Sequence, residues 1–277
     1  MNIYSPLIIQ DNIVVGLEKD SLSITIPKEI IGIADKAFKG ILSLKEVNIL
    51  GDLNSIGNEA FMDCINLEVL NILGNIESIG EKAFCNCESL KEINFPKNLK
   101  NIGALALMGC SSIKKLSIPY VFNGTMGYLF GTKENDVRFY PANQTVFGAS
   151  KNKYYFPKSL KEINVLGDAL HKYAFENMYE IEKVSLDDIK TISYGAFINC
   201  VKLNSISLVG VTNIMNYAFY GCESLKEVKI PYTVDTIASY VFSCHMDIYL
   251  ENKDTKGFDP LWLSGSKEIK IHWNWGK

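Results

Sequence analysis

The chain has 277 residues, of which 47% are hydrophobic and 21% charged, and its formal net charge at pH 7 is -3. This composition is ordinary for a globular protein and too apolar for a disordered one, and no apolar run approaches the roughly 18 residues of a membrane-spanning helix. The charge excludes a strongly basic surface for nucleic acid, and Arg138 is the only arginine among the 28 basic residues.

Residues 1–26 predict an N-terminal cap, because residues 3–26 alternate loosely and lack the repeating unit that follows. The opening segment MNIYSPLIIQDNIVVGL has no basic residues before its apolar ones and carries Asp11 among them, so it does not resemble a signal peptide. We therefore expect either a protein that stays inside the cell or a domain of a longer protein, and the compartment stays open.

Residues 27–131 contain a repeated unit, Ile-x-x-x-Ala-Phe-x-x-Cys-x-x-Leu-x-x-Ile-x-Ile, which recurs in residues 159–246. Clear copies begin at Ile56, Ile79, Ile102, Ile192 and Ile214. The alternating apolar residues of segments such as 44–49 and 225–230 predict strands with one buried face. The Ala-Phe-x-x-Cys stretch predicts a short helical turn on the opposite wall. Stacking such units predicts a parallel sheet that gains one strand per turn.

Residues 132–158 predict an insertion, because the Ala-Phe pair that should follow Leu129-Phe130 by one repeat returns only at Ala174. Residues 247–277 predict a C-terminal cap, in which Trp262, Trp273 and Trp275 cover the core of the last turn. Residues 1–277 are therefore predicted to form one repeat domain with two caps and one insertion.

The strand motif Leu-x-x-Ile-x-Ile-Pro, followed by Ile-Gly-x-x-Ala-Phe-x-x-Cys-x-x-Leu, resembles the BspA-like subclass of leucine-rich repeat proteins over about residues 22–250. The insertion after Gly127-Tyr-Leu-Phe-Gly131 and the tail from Ile248 are similar to segments of that family. The resemblance implies an α/β repeat solenoid, a right-handed coil with a parallel β-sheet on its concave face and short helical turns opposite. It also implies a bacterial or protist surface protein of adhesion or recognition, a class that usually carries an export signal.

Five of the seven cysteines lie four residues after the repeat alanine: Cys64, Cys87, Cys110, Cys200 and Cys222. Ile41 and Met178 occupy the same position in other repeats, which predicts an apolar core position for the thiols. A metal or disulfide role is the alternative, with Cys85-Asn-Cys87 as its weak signal. The histidines are dispersed and no nucleophile or phosphate-loop motif occurs, so we predict no catalytic site, no metal and no cofactor.

Outward-facing polar residues recur at two strand positions and predict a polar strip on the concave face. One row is Asn48, Asn71, Asn94, Ser117, Asn164, Ser185, Ser207 and Lys229; its neighbour is Lys45, Glu68, Lys91, Lys114, Lys161, Glu182, Asn204 and Lys226. The rows are either a hydrated face or a binding surface. Under the second interpretation we predict partner contacts by Lys45, Asn48, Asn71, Lys91, Asn94 and Lys114.

Two aromatic groups offer further binding candidates. Tyrosine precedes the Ala-Phe position at Tyr128, Tyr173, Tyr217 and Tyr240, where it serves either recognition or packing. The insertion contains Arg138, Phe139, Tyr140, Phe147, Tyr154, Tyr155 and Phe156. Insertions in repeat proteins often carry binding, so we predict contacts by Arg138, Tyr140, Tyr154 and Tyr155. The alternative is a loop that folds its aromatic residues back over the repeats.

These features predict a non-catalytic leucine-rich repeat protein that binds a protein or other macromolecule in surface recognition or adhesion, without nucleic acid and without membrane insertion. An intracellular scaffold or inhibitor of a partner protein is the second hypothesis, because a signal peptide is not seen and the cysteines show no evident pairing. An enzyme with an unrecognised site is the third.

Overall fold

The computed structural model describes residues 6–120, 124–132, 134, 136–146, 150–251, 254–266 and 268–274. The chain divides into two compact units. The first comprises Met1–Phe122, Gly127–Tyr140 and Tyr155–Leu160, and the second comprises Asn123–Met126, Pro141–Tyr154 and Lys161–Lys277. Each unit is a β-solenoid of stacked turns whose strands pair mainly in parallel. The prediction of one domain, with its caps and insertion boundaries, stays a prediction.

Among the described residues of the first unit, eleven strands and one short helix lie wholly within it. They are β1 (Leu7–Gln10), β2 (Ile13–Leu17), β3 (Ser23–Ile26), β4 (Gly32–Ile33), β5 (Glu46–Ile49), β6 (Leu53–Ile56), β7 (Val69–Ile72), β8 (Ile76–Ile79), β9 (Glu92–Asn94), β10 (Asn101–Ile102), β11 (Lys115–Pro119) and α1 (Gly127–Phe130). One sheet has the order β1-β2-β4-β6-β8-β10, a second has β3-β5-β7, and β9 pairs with β11. Each turn therefore contributes a strand to each of two sheets.

The insertion supplies β12 (Phe139–Val146) and β13 (Ser150–Pro157), which form a two-stranded sheet. The strands that lie wholly within the second unit are β14 (Glu162–Leu166), β15 (Lys183–Asp187), β16 (Thr191–Ile192), β17 (Ser205–Ile206), β18 (Asn213–Ile214), β19 (Glu227–Ile230), β20 (Thr236–Ile237), β21 (Met246–Leu250) and β22 (Ile269–Trp273). Here β14-β15-β17, β16-β18-β20 and β19-β21-β22 pair in parallel.

The strands predicted from period-two alternation are confirmed. In β5 the side chains of Val47 and Ile49 are buried while those of Glu46 and Asn48 are partly exposed, as a strand with one buried face requires. The same alternation holds in β19. The register of β5 and β7 is parallel and places Asn48 beside Asn71.

The sheet β1-β2-β4-β6-β8-β10 of the first unit was not predicted, and its strands show why. In β6 the buried residues are Leu53 and Ile56, three positions apart, so the apolar pattern does not alternate. Two other strands of this sheet, β4 and β10, have only two residues each. A segment with this spacing resembles a loop between repeats rather than a strand.

The phenylalanine spine predicted from the repeats is confirmed in both units. In the first, Phe61 stacks on Phe38 with ring centroids 4.9 Å apart and on Phe84 at 5.4 Å. In the second, Phe197 stacks on Phe175 at 5.0 Å and on Phe219 at 5.5 Å. All of these rings are fully buried, so the spine is the core of each stack.

The helical turns predicted opposite the strands are not found, and α1 is the only α-helix in the described part of the chain. Most turns have two left-handed residues four positions apart, for example Glu59 with φ 54° and Asp63 with φ 63°. A left-handed residue every four positions breaks an α-helix. The backbone N–H groups of Glu59, Phe61 and Asp63 instead donate to carbonyl groups of the next turn, each at 2.8 Å. The wall is thus a third ladder between turns.

The prediction that the repeat cysteines are buried is confirmed, and none of the seven cysteines, all of which lie in the described part of the chain, forms a disulfide. The Sγ atoms of Cys64, Cys87 and Cys110 donate to backbone carbonyl oxygens of the preceding turn at 3.0, 3.2 and 3.1 Å. Burial raises the pKa of the Cys64 thiol to about 11. Within the described residues, no cluster of three or more His, Cys, Asp or Glu could hold a metal ion.

The C-terminal tryptophans differ in their surroundings. Trp262 is buried and packs edge-on against Phe242, the last ring of the spine, with centroids 6.3 Å apart, as a cap requires. Trp273 lies in β22 and is exposed, so it does not cover the core as predicted. Trp275 lies outside the described residues. No helix among the described residues is long and apolar enough to cross a membrane.

Candidate functional site

The polar strip of the first unit is formed by Lys45, Asn48, Asn71, Lys91, Asn94 and Lys114, on or beside β5, β7, β9 and β11. All six side chains are exposed or partly exposed. The position before β5, β9 and β11 supplies the lysines, and the third position of β5, β7 and β9 supplies the asparagines. The strip therefore follows from the repeat register, because each turn places the same position beside its neighbour.

Hydrogen bonds fix the asparagines of the polar strip. The Nδ2 atom of Asn71 donates to Oδ1 of Asn48 at 2.7 Å, and Nδ2 of Asn48 donates to a carboxylate oxygen of Glu46 at 3.0 Å. The amide of Asn94 makes the equivalent bond to Glu92 at 3.0 Å. These amides are therefore held in one orientation at the surface.

The lysines of the polar strip are less uniform. Nζ of Lys91 lies 2.8 Å from a carboxylate oxygen of Glu68, and this hydrogen bond lowers the pKa of Glu68. The backbone N–H of Lys114 donates to the carbonyl of Lys91 at 2.7 Å, which keeps successive lysines in register. The side chains of Lys45 and Lys114 are exposed. The polar strip thus has an exposed lysine at each end, Lys45 and Lys114, and an ion pair between Lys91 and Glu68 in its middle.

Two apolar side chains interrupt the same face, and the sequence pattern did not single them out. Val69 is 42% exposed at the position that Glu46 occupies in the neighbouring strand. Leu22 is 64% exposed just before β3, at the repeat position of Lys45. The sequence shows them as a valine and a leucine at positions that are charged in most other turns.

Arg138 of the insertion is a clamp within the first unit. Its guanidinium donates to a carboxylate oxygen of Asp136 at 2.6 Å and to one of Glu88 at 2.6 Å. These hydrogen bonds raise the pKa of Arg138, first through Asp136 and then through Glu88. The guanidinium of the only arginine in the sequence therefore already donates hydrogen bonds to two carboxylates of the same chain.

The burial of Tyr140 and Tyr155 removes them from the exposed surface predicted for them. Each is only 9% exposed, and the ring of Tyr140 lies 5.9 Å from that of Phe156, which packs on Phe130 at 5.4 Å. This part of the insertion folds its aromatic residues back over the repeats. Tyr154 is partly exposed and accepts a hydrogen bond from Asn152 at 3.3 Å. Phe147 lies outside the described residues.

The strand β12 is joined to the turn wall of the second unit by buried polar groups. The side-chain amide of Gln144, which is fully buried, donates to the backbone carbonyl of Glu176 at 2.9 Å. The backbone N–H of Thr145 donates to the Glu176 carboxylate, and the amide of Asn177 donates to the carbonyl of Asn143. Three polar contacts therefore attach this part of the insertion to one turn.

The tyrosine row of the second unit contains a member that the sequence pattern missed. Tyr217 and Tyr240 stack face to face, with centroids 5.4 Å apart and planes 5° from parallel. Between Tyr173 and Tyr217 the row position is Gly195, and Tyr194 fills the row from the preceding position. Tyr128 belongs to the first unit. The strict repeat position excluded Tyr194, although it was adjacent in the sequence.

A family profile described as "BspA type Leucine rich repeat region" matches residues 18–135 and 148–252, in 6 copies. Similar solved structures include a leucine rich repeat protein of T. pallidum (22% identity, 77% of this chain and 82% of that one, TM-score 0.41). A second is a leucine rich cell surface protein of Faecalibacterium prausnitzii (17% identity, 96% of this chain and 92% of that one, TM-score 0.34). A third is the pneumococcal vaccine antigen PcpA (21% identity, 90% of this chain and 79% of that one, TM-score 0.32). No curated protein sequence matches this chain.

Proposed function

Because this chain belongs to the BspA type leucine-rich repeat family, we propose that it is a non-catalytic protein that binds another protein through the polar strip of its first unit. The biological role that we propose is surface recognition or adhesion. The observation that carries the proposal is the lateral bonding of the strip, in which Asn71 bonds Asn48 and Lys91 bonds Glu68. Side chains that are already fixed lose little conformational entropy when a partner binds, which favours affinity.

The composition of this face supports a protein as the partner. Leu22 and Val69 expose apolar surface among amides and lysines. Protein interfaces combine an apolar centre, which carries most of the binding energy, with a polar rim that sets register and orientation. The lysines at both ends of the strip favour a partner with acidic residues at matching positions.

The test is affinity capture with the purified chain as bait and a triple variant, Asn71→Ala, Lys91→Ala and Asn94→Ala. These changes remove exposed polar groups and no core volume, so the free energy of unfolding should change by less than about 1 kcal/mol. Capture of a specific protein should be lost. The matched control is Asn204→Ala, Lys226→Ala and Lys229→Ala, which changes the same residue types in the second unit and should retain capture. Capture that survives the first triple variant contradicts the proposal.

The lack of disulfides among the described cysteines favours the second candidate, an intracellular scaffold or inhibitor, because disulfides are rare in reducing compartments. Fractionation of the producing cells separates the two. Recovery of the chain on the surface or in the medium supports recognition outside the cell, and recovery only inside supports the scaffold.

A further inference from the structure

The second unit contains a groove of about 810 Å³ beside the tyrosine row. Thr145 and Val146 of β12 line one side, and the segments 169–173 and 193–194 line the other. Sites for small ligands have volumes of roughly 300–1,000 Å³, so the groove can hold a ligand of a few rings. It belongs to a different unit from the polar strip.

The groove lies where the tyrosine row is interrupted. Tyr217 and Tyr240 cover each other's ring faces, but the row position of the turn before them is Gly195. A β-carbon on Gly195 would lie 2.9 Å from Cδ1 of Tyr173, so the Tyr173 ring occupies the space that a side chain would need. Tyr194 then meets Tyr173 at 69°, with centroids 5.4 Å apart. The regular face-to-face stack ends here.

The lining groups are aromatic, hydroxylic and cationic. Tyr173 and Tyr194 supply phenol groups and rings, and the two rings meet edge to face. Thr145 and Ser193 supply hydroxyl groups. Lys172 is exposed at the groove and makes no ion pair within the part of the chain that the structure describes. None of the described lining residues is acidic.

Three main-chain N–H groups in or beside the groove are already paired within the solenoid. The N–H groups of Leu170, Tyr173 and Gly195 donate to carbonyls of the following turn at 3.1, 3.0 and 2.9 Å. Addition of a peptide strand needs unpaired backbone groups, and these three are in use. A sugar instead has hydroxyl groups that pair with side-chain hydroxyls, and an apolar C–H face that packs on an aromatic ring.

We propose that this groove binds an acidic oligosaccharide. The C–H face of one sugar ring packs against the tyrosines, its hydroxyl groups pair with Ser193 and Thr145, and its carboxylate pairs with Lys172. The proposal is independent of the polar strip, because a sugar site in the second unit can be present or absent whatever the first unit binds.

The test uses a galacturonate tetrasaccharide as the acidic probe and maltotetraose as a neutral probe of the same length, titrated into the full chain by calorimetry and by NMR. The acidic probe should bind about tenfold more tightly than the neutral one, and the difference should shrink as salt is added. Amide signals of Thr145 and Ser193 should shift. Lys172→Gln should abolish the preference for the acidic probe, and Tyr194→Ala should weaken both probes by about tenfold or more.

Two controls and three outcomes decide the proposal. Lys226→Gln and Tyr232→Ala change exposed residues of the same types outside the groove and should leave both affinities unchanged. The proposal is overturned if neither probe binds at millimolar concentration, if Lys172→Gln keeps the preference, or if oligoglutamate shifts the same signals as strongly as the sugar. Lys172→Gln alters only an exposed side chain, so its result does not depend on a change in folding. The triple variant of the polar strip should bind the sugar normally, which separates this test from that of the proposed function.

Discussion

The Sγ atom of Cys64 lies 3.0 Å from the backbone carbonyl oxygen of Phe38, in the preceding turn. The same contact joins Cys87 to Phe61 and Cys200 to Phe175. A thiol at this repeat position therefore donates a hydrogen bond to the backbone carbonyl of a spine phenylalanine in the preceding turn. Each thiol is buried and holds its proton in the folded chain. The cysteine position is therefore tied to stability through ionisation as well as packing.

Alkaline pH should destabilise the protein through these thiols. Burial raises the pKa of Cys64 to about 11, whereas an unfolded cysteine ionises near about 8.5. Between these values the unfolded chain has lost a proton that the folded chain keeps, so stability falls by about 1.4 kcal/mol per pH unit for each such thiol. Urea unfolding at pH 7.5, 9 and 10 should show the decline, and Cys64→Ala should reduce its slope. A free energy of unfolding that stays constant over this range contradicts the prediction.

Truncation of the spine should be costly. Phe84 is fully buried and stacks on Phe61 at 5.4 Å, so Phe84→Ala should lower the free energy of unfolding by about 3–5 kcal/mol. The control is Leu73→Ala, which truncates a side chain that is 73% exposed and should change stability by less than about 0.5 kcal/mol. Denaturant unfolding of both variants measures the contrast, and equal effects would argue against a buried spine.

The close approach of successive turns should make replacement of Gly80 destabilising. A β-carbon on Gly80 would lie 2.5 Å from the backbone nitrogen of Asn58, so Gly80→Ala forces two turns apart and should cost about 1–3 kcal/mol. A β-carbon on Gly16 in β2 would meet its nearest atom, the carbonyl oxygen of Ala37, at 3.7 Å. Gly16→Ala should therefore be neutral or slightly stabilising. Thermal unfolding compares the two, and a harmless Gly80→Ala would contradict the close spacing of these turns.

The attachment of β12 should depend on Gln144. Gln144→Ala removes the donor to the buried carbonyl of Glu176 and should cost about 1–3 kcal/mol. The matched control is Asn152→Ala, an exposed amide in β13, which should have no measurable effect. Hydrogen exchange of the β12 amides should accelerate in the first variant only, and unchanged exchange would show that Gln144 does not hold the strand.

The same contacts affect how a deletion of the insertion would be interpreted. Removal of residues 142–153 takes away Gln144 and Thr145, both of which bond Glu176. Loss of partner binding in such a variant would report a disturbed second unit as readily as a lost contact surface. Single changes at Tyr154, whose side chain is partly exposed, test the insertion more directly.

The features that were predictable from the sequence are those that repeat in residue type. Phe61 and Cys64 recur at fixed positions in other turns, and a position that accepts only apolar residues is buried in every turn. The strand at 46–49 was predictable for the same reason, since its apolar residues alternate. Periodicity reveals burial because each turn meets the same neighbours.

The features that were not predictable do not recur as a fixed residue type in the repeats. Left-handed backbone at Glu59 and Leu105 does not select glycine or asparagine, so the side chains there gave no sign that the wall is a series of turns. The insertion occurs once, and no second copy showed which face of Tyr140 or Tyr155 is buried. Tyr194 was missed because it replaces a ring from the neighbouring position, a shift that only the packing against Tyr173 reveals.

The ladder that joins each turn to the next has a consequence for how the chain changes during evolution. Gly57 approaches Asp35 as Gly80 approaches Asn58, and Asn71 bonds a residue 23 positions earlier. Loss of residues 57–79 would join Ile56 to Gly80 and give every following group a partner of the same kind. Unequal recombination between repeats can therefore lengthen or shorten the molecule by whole turns at little cost to folding, whereas a gain or loss of a few residues has to be absorbed in a loop.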